Sequence, residues 1–111
     1  MSEHIRSLLD VVTPTLFPGE TVWAVYTGSR ALVATDRRLI FVSGGDLTAY
    51  DLADFDRVAR SREDLVVLDR TDAPPIAVPV APDDEAGLQA LTVVGLLVAL
   101  RDRLEGEHPA H

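Results

Sequence analysis

Few side chains in this sequence are placed to perform acid–base, nucleophilic or metal chemistry. The histidines, His4, His108 and His111, all lie near the two ends of the chain. Since none lies in the central part of the sequence, a serine nucleophile there would have no histidine as its base. There is no cysteine, which excludes a disulfide framework, a thiolate metal site and a cysteine nucleophile. The sequence predicts no catalytic residue, no metal site and no cofactor.

The remaining charged groups form patterns that are typical of a solvated surface. Paired carboxylates such as Asp83 and Asp84 are common in loops and at helix starts. The densest basic group is interleaved with acidic residues, which predicts exposed ion pairs across neighbouring strands rather than a binding patch. Its members are Arg57, Arg60, Arg62 and Arg70.

Composition indicates a soluble, globular protein. The chain has 111 residues, of which 47% are hydrophobic and 25% charged, and we expect one domain spanning residues 1–111. A net charge of −8 repels nucleic acids and anionic bilayers, so we expect no nucleic-acid partner and no membrane binding. The longest apolar run is too short to cross a bilayer, and no signal peptide is visible. These features predict a cytoplasmic protein.

Hydrophobic spacing predicts a short helix, a series of strands and a long helix. The pattern from Ile5 to Val12 is helical, which predicts an N-terminal helix over about residues 3–13. Strand-like segments start every eight to twelve residues between about 20 and 80, as packed antiparallel sheets require. Carboxylates at Asp83, Asp84 and Glu85 favour a helix start, and the final helix is predicted over about 83–104.

The final helix has two apolar stripes. One of them is expected to face the sheets, and it comprises Ala86, Ala90, Val93, Leu97, Leu100 and Leu104. The other, Leu91, Val94 and Val98, lies well away from it and needs another cover. The N-terminal helix or a second copy of the protein could supply that cover.

Most aromatic side chains are expected in the core. This expectation applies to Trp23, Tyr26, Phe41, Tyr50 and Phe55. Phe17 stands in a proline-flanked turn and is the aromatic residue we expect at the surface, where it either anchors a partner or closes one end of the sheets.

Several short motifs together resemble a bacterial pleckstrin-homology-like (PH-like) domain over about residues 16–104. They are Leu16 with Pro18-Gly19-Glu20, the run from Thr35 to Phe41, Asp51-Leu52, and the long last helix. The resemblance implies a mainly β protein of the α+β type. Its expected core is a seven-stranded antiparallel barrel capped by the C-terminal helix, with a short N-terminal helix in addition.

Two functional hypotheses follow from the residues and the resemblance. The first is a non-catalytic interaction module that acts through protein contacts, including self-association into a homo-oligomer. Its expected interface residues are Leu91, Val94, Val98 and Phe17. Some bacterial domains of this kind self-associate, and fold alone does not transfer function.

The alternative is a peripheral domain that binds a lipid or another small ligand through Arg30, Arg37 and Arg38. Eukaryotic relatives often bind phosphoinositides with basic residues of the first hairpin loop and the strand after it. Here that loop, residues 27–30, contains one arginine. A small enzyme is the third class that the sequence leaves open.

Overall fold

The structure, a computed structural model, describes the backbone of residues 3–28 and 30–107 and the side chains of residues 5–28 and 30–101. Its helices and strands follow the predicted order. They are α1 (Glu3–Val12), β1 (Val22–Tyr26), β2 (Ala31–Thr35), β3 (Arg38–Ser43), β4 (Asp46–Asp51), β5 (Phe55–Arg62), β6 (Leu65–Arg70), β7 (Ile76–Pro79) and α2 (Glu85–Glu107). Short 3₁₀ turns follow α1 and β4, at Thr13–Thr15 and Leu52–Asp54.

The strands form two antiparallel sheets. Strands β1-β2-β3-β4 form the four-stranded sheet A, and β5-β6-β7 form the three-stranded sheet B. Among the described residues no strand pair joins the two sheets, so the predicted closed barrel is not shown. Helix α2 packs against β1 of sheet A and β5 of sheet B. It therefore bridges edge strands that belong to different sheets.

The main core lies between the two sheets and α2. Sheet A contributes side chains such as Leu32, Leu39 and Phe41, while sheet B contributes Leu68 and Val78. All five are at most 5% exposed. Because burying each such side chain contributes roughly 1.5–3 kcal/mol, this cluster is the principal source of stability for the fold.

A second, smaller core lies on the other face of sheet A. Val33 and Ile40 point away from the main core and pack with Leu8 and Val12 of α1. Alternate residues of β2 and β3 are thus buried on opposite faces, which explains their nearly unbroken apolar sequence. Helix α1 packs on sheet A. Its apolar face therefore does not cover the second apolar stripe of α2, which was one of the two alternatives that the sequence allowed.

Strand β1 contains a β-bulge at Trp23. Val22 pairs with Thr35 and Ala24 pairs with Ala34, so Trp23 is the extra residue opposite β2. Its side chain is 59% exposed. The prediction that Trp23 lies in the core is therefore wrong. Ala24 and Tyr26 face the main core and Val22 and Val25 face the second core, while Trp23, the extra residue of the bulge, is left in solvent. Tyr26 and Phe41 are buried as predicted.

No helix formed by the described residues is both long enough and apolar enough to cross a membrane.

Candidate functional site

Arg38 is held in an ion pair with Glu20 that joins β3 to the segment before β1. Its Nε donates to Oε2 of Glu20 at 2.9 Å, and its Nη2 donates to Oε1 at 2.7 Å. The side chain of Glu20 is fully buried and that of Arg38 is 15% exposed. Two parallel hydrogen bonds fix both groups in one geometry, as is usual for an arginine–carboxylate pair.

Further contacts extend this pair into a network that fastens the chain after α1 to sheet A. Thr35 Oγ1 donates to Glu20 at 2.6 Å, and the backbone N–H of Phe17 donates to the same carboxylate at 2.9 Å. Arg38 also donates to the carbonyl of Thr15, and its guanidinium lies 4.3 Å from the centre of the Phe17 ring. Arg38 therefore has a structural role. These contacts occupy its guanidinium, which is not free to bind a ligand as predicted.

The network lowers the pKa of Glu20 from 4.5 to about 2, chiefly through the hydrogen bonds from Arg38. The same pairing raises the pKa of Arg38. Because the folded chain holds the carboxylate more tightly in its ionised form, protonation favours the unfolded chain. The stability that this group adds is fully present above pH 4.5 and is lost as the pH falls towards 2.

A carboxyl titration followed by carbon-detected nuclear magnetic resonance checks this expectation. We expect the Glu20 resonance to titrate with a midpoint near 2, well below the ordinary 4.5. The exposed carboxylate of Glu63, followed in the same spectra, serves as the internal control. A Glu20 midpoint equal to that of the control would contradict the proposed network.

The three arginines proposed for ligand binding do not converge. Arg30 precedes β2 and lies 4.7 Å from the centre of the Phe41 ring, whereas Arg37 and Arg38 follow the other end of β2. A five-residue strand separates these ends by about 16 Å. Strand β2 therefore holds Arg30 apart from Arg37 and Arg38, and their role as ligand or lipid contacts stays a prediction.

Phe17 is 51% exposed and lines an open cavity of about 560 Å³ at the C-terminal end of α2. The same cavity is lined by Arg37, Arg38, Asp51 and Arg101. One face of the ring is already covered by the Arg38 guanidinium. The role of Phe17 as a partner anchor stays a prediction.

The apolar stripes of α2 are not oriented as predicted. The stripe expected to need another cover is buried, whereas the stripe expected to face the sheets is divided: Ala90 and Leu97 contact the main core, and the side chain of Leu104 lies outside the described residues. Leu91, Val94 and Val98 are at most 3% exposed and belong to the main core. In contrast, Leu100, which belongs to the stripe predicted to face the sheets, is 55% exposed. Leu96, which belongs to neither predicted stripe, is 64% exposed. Leu91, Val94 and Val98 are therefore not available as an interface while the fold is intact.

Four apolar residues of α2 form a continuous flank, which we call the outer stripe: Val93, Leu96, Leu97 and Leu100. Leu96 and Leu100 are exposed, whereas Val93 and Leu97 are half-buried, and Leu97 also packs against the main core. Their spacing of three and four residues places them on one side of the helix. Gly95 faces Val58 of β5, since a Cβ there would lie 3.6 Å from the Cβ of Val58. Helix α2 also packs against β1, the strand that presents exposed Trp23.

On the other flank, α2 and β5 border a groove of about 370 Å³. Strand β5 contributes Val58, Ala59 and Arg60, and α2 contributes Leu88, Leu91, Thr92, Gly95 and Leu96. Val66 of β6 completes the lining, which contains one cation and no carboxylate. No sequence pattern indicates this groove, because it depends on how α2 lies across the strands.

The described residues contain no group of three or more His, Asp or Glu side chains close enough to hold a metal ion. The side chain of His4 and all of His108 and His111 lie outside the described residues.

The fold defines a mainly β protein with two antiparallel sheets capped by a C-terminal helix. The crystal structure of a pleckstrin homology domain from Shewanella amazonensis SB2B is similar, with a TM-score of 0.58 over 88% of this chain and 91% of that chain. The two sequences are 16% identical. The chain therefore has a PH-like fold, which confirms the resemblance found in the sequence. No protein-family model matches the chain, and no curated protein matches it either.

Proposed function

We propose that this protein is a non-catalytic interaction module that acts through protein contacts, including contacts with a second copy of itself. The observation that carries the proposal is the outer stripe of α2. Leu96 and Leu100 are each more than half exposed. No charged residue occurs from Ala86 to Leu100, so the exposed side of this helix is not adapted to water as an ordinary surface helix is.

Two α2 helices packed along their outer stripes would bury this surface in a two-fold arrangement. Fully burying a leucine side chain contributes roughly 1.5–3 kcal/mol, and such a pairing covers leucines from both copies. Association also loses translational and rotational freedom, which costs at least about 4 kcal/mol. The difference between the free energy gained by burial and that lost on association supports a weak or moderate homodimer. A net charge of −8 on each copy opposes it, so added salt should strengthen the association.

Sedimentation velocity over a range of concentrations tests this proposal. The expected result for the wild type is a reversible dimer, whose population rises with concentration and with salt. The double variant Leu96→Glu/Leu100→Glu is expected to weaken dimerisation by more than about tenfold, because it buries carboxylates in the contact.

The double variant Thr92→Glu/Ala99→Glu is the matched control. Both of its positions are exposed on α2 but lie outside the outer stripe, so it adds the same charge while leaving the dimer contact intact. A wild type that stays monomeric at high micromolar concentration would refute self-association. Equal weakening by both double variants would instead assign the effect to net charge.

The lipid- or small-ligand alternative has no comparable support. Arg30 and Arg37 lie at opposite ends of β2, and Arg38 is committed to Glu20. The net charge of −8 opposes binding to an anionic bilayer.

A further inference from the structure

We infer that the cavity beside Phe17 binds a nucleoside monophosphate, with the base stacked on the Phe17 ring and the phosphate held by arginine. This cavity, which we call the basic cavity, is lined by Phe17, Arg37, Arg38, Asp51 and Arg101. A small-molecule ligand goes beyond the proposed function as a protein-interaction module. The site also differs from the one expected from the sequence, since it leaves out Arg30 and includes Arg101.

Four separate parts of the fold form the basic cavity. Phe17 comes from the segment before β1, and Arg37 and Arg38 come from the turn after β2 and the first residue of β3. Asp51 ends β4, and Arg101 belongs to α2. The volume of about 560 Å³ lies within the range of roughly 300–1,000 Å³ that is usual for ligand clefts. A mononucleotide fits a cleft of this size.

The charge of the basic cavity is opposite to that of the whole chain. Three arginines and one aspartate line it, in a chain with a net charge of −8. The aspartate, Asp51, accepts a hydrogen bond from the Ala53 N–H at 2.9 Å and so caps the 3₁₀ turn after β4. A cleft lined mainly by one sign of charge concentrates ligands of the opposite sign. The basic cavity therefore selects a small anion, whereas the rest of the surface repels a long polyanion.

Arg37 supplies the main contact to that anion. The residue is exposed, and its hydrogen bonds to the described residues are formed by its backbone. Its N–H donates to Thr35 Oγ1 at 3.1 Å, and its carbonyl accepts from the Leu52 N–H at 3.0 Å. These two bonds fix the turn and leave the Arg37 guanidinium available to a ligand.

A phosphate monoester suits this cavity better than a carboxylate does. A guanidinium binds either group through two parallel hydrogen bonds. The phosphate monoester, however, carries a charge of about −1.5 to −2 at pH 7 and offers three strong acceptor oxygens. Its additional charge and oxygen can be used where more than one arginine lines the same cavity, as Arg37 and Arg101 do here.

Phe17 adds a flat apolar surface to the site. Its ring is 51% exposed, and the Arg38 guanidinium lies 4.3 Å from the ring centre on one face. The Phe17 N–H donates to the Glu20 carboxylate, and its carbonyl accepts from the Glu20 N–H at 3.0 Å. The ring therefore presents its other face from a fixed backbone, as a platform on which a nucleobase can stack. A sugar phosphate or an inositol phosphate has no aromatic ring to use this face.

Isothermal titration calorimetry of the full chain with three ligands tests the inference. AMP carries both a base and a phosphate, whereas adenosine has only the base and ribose 5-phosphate only the phosphate. We expect AMP to bind with a Kd below about 1 mM at low salt, and each of the other two to bind at least about tenfold more weakly. Added salt should weaken AMP binding. In ¹⁵N chemical-shift mapping, AMP should shift the amides of Phe17, Arg37 and Arg101.

Two variants separate the two halves of the ligand. Arg37→Gln should weaken AMP binding by at least about tenfold, so that AMP and adenosine bind alike. Phe17→Leu should also weaken AMP binding but should leave ribose 5-phosphate binding unchanged, a crossed pattern that loss of folding cannot produce. The matched controls are Arg57→Gln, which removes an exposed arginine, and Trp23→Leu, which removes an exposed aromatic ring. Neither residue lines the basic cavity, so both variants should bind AMP as the wild type does.

Failure of AMP to bind at millimolar concentrations, or shifts confined to other elements, would overturn the inference. Ribose 5-phosphate binding as tightly as AMP would overturn it as well, because the ring would then contribute nothing. None of these results bears on self-association, which sedimentation of the outer-stripe variants tests separately.

Discussion

Replacing Arg38 with methionine is expected to lower the free energy of unfolding by about 3–5 kcal/mol. The change would leave the fully buried carboxylate of Glu20 without its cation. Methionine keeps much of the side-chain length, so packing near Phe17 is disturbed less than the electrostatics. The segment between α1 and β1 would also lose its bond from Arg38 to the Thr15 carbonyl. Chemical denaturation followed by circular dichroism measures the loss.

Arg62→Met is the matched control for this variant. Arg62 pairs with Asp64 at 3.6 Å, and both side chains are more than 60% exposed. Such a pair contributes at most about 1 kcal/mol. The double variant Glu20→Leu/Arg38→Met should recover part of the loss, because it removes the stranded charge. If Arg38→Met costs no more than Arg62→Met, the network does not stabilise the fold as described.

Replacing Leu91 with alanine is expected to destabilise the fold by about 2–5 kcal/mol. The side chain is 3% exposed in the main core, so its removal leaves a cavity between α2 and the sheets. The loss should again be measured by denaturation, with dilute protein so that association does not contribute.

Leu100→Ala is the matched control, because it makes the same chemical change on the same helix. Leu100 is 55% exposed, and its replacement should alter the free energy of unfolding of the monomer by no more than about 0.5 kcal/mol. The reverse order of effects would mean that α2 is rotated from the orientation described, and it would restore the orientation expected from the sequence.

The sequence predicted the order of the helices and strands because local signals mark it. Glycine-rich and charged turns separate the strands, and acidic residues mark the start of α2. The motif residues Glu20, Thr35 and Arg38 were recognised as part of a family pattern. Their meeting in one buried network was not predicted, because it joins positions 15 and 18 residues apart in the sequence.

The orientation of α2 could not be predicted for a different physical reason. Its central part carries apolar residues on nearly every side, so helical spacing offers two stripes of similar hydrophobicity. Which stripe turns inward depends on how side chains such as Leu91 and Val98 fit between sheets that are distant in the sequence. The exposure of Trp23 was not predicted either, because the bulge that makes it the extra residue of β1 depends on the pairing with β2.

The bulge at Trp23 also has an optical consequence. Trp23 is the chain's one tryptophan, and it stands largely in water on β1, beside α2. Its fluorescence therefore reports little on the buried core. The same indole lies on a strand that contacts α2, so its emission is a native, label-free signal for a molecule that binds beside it.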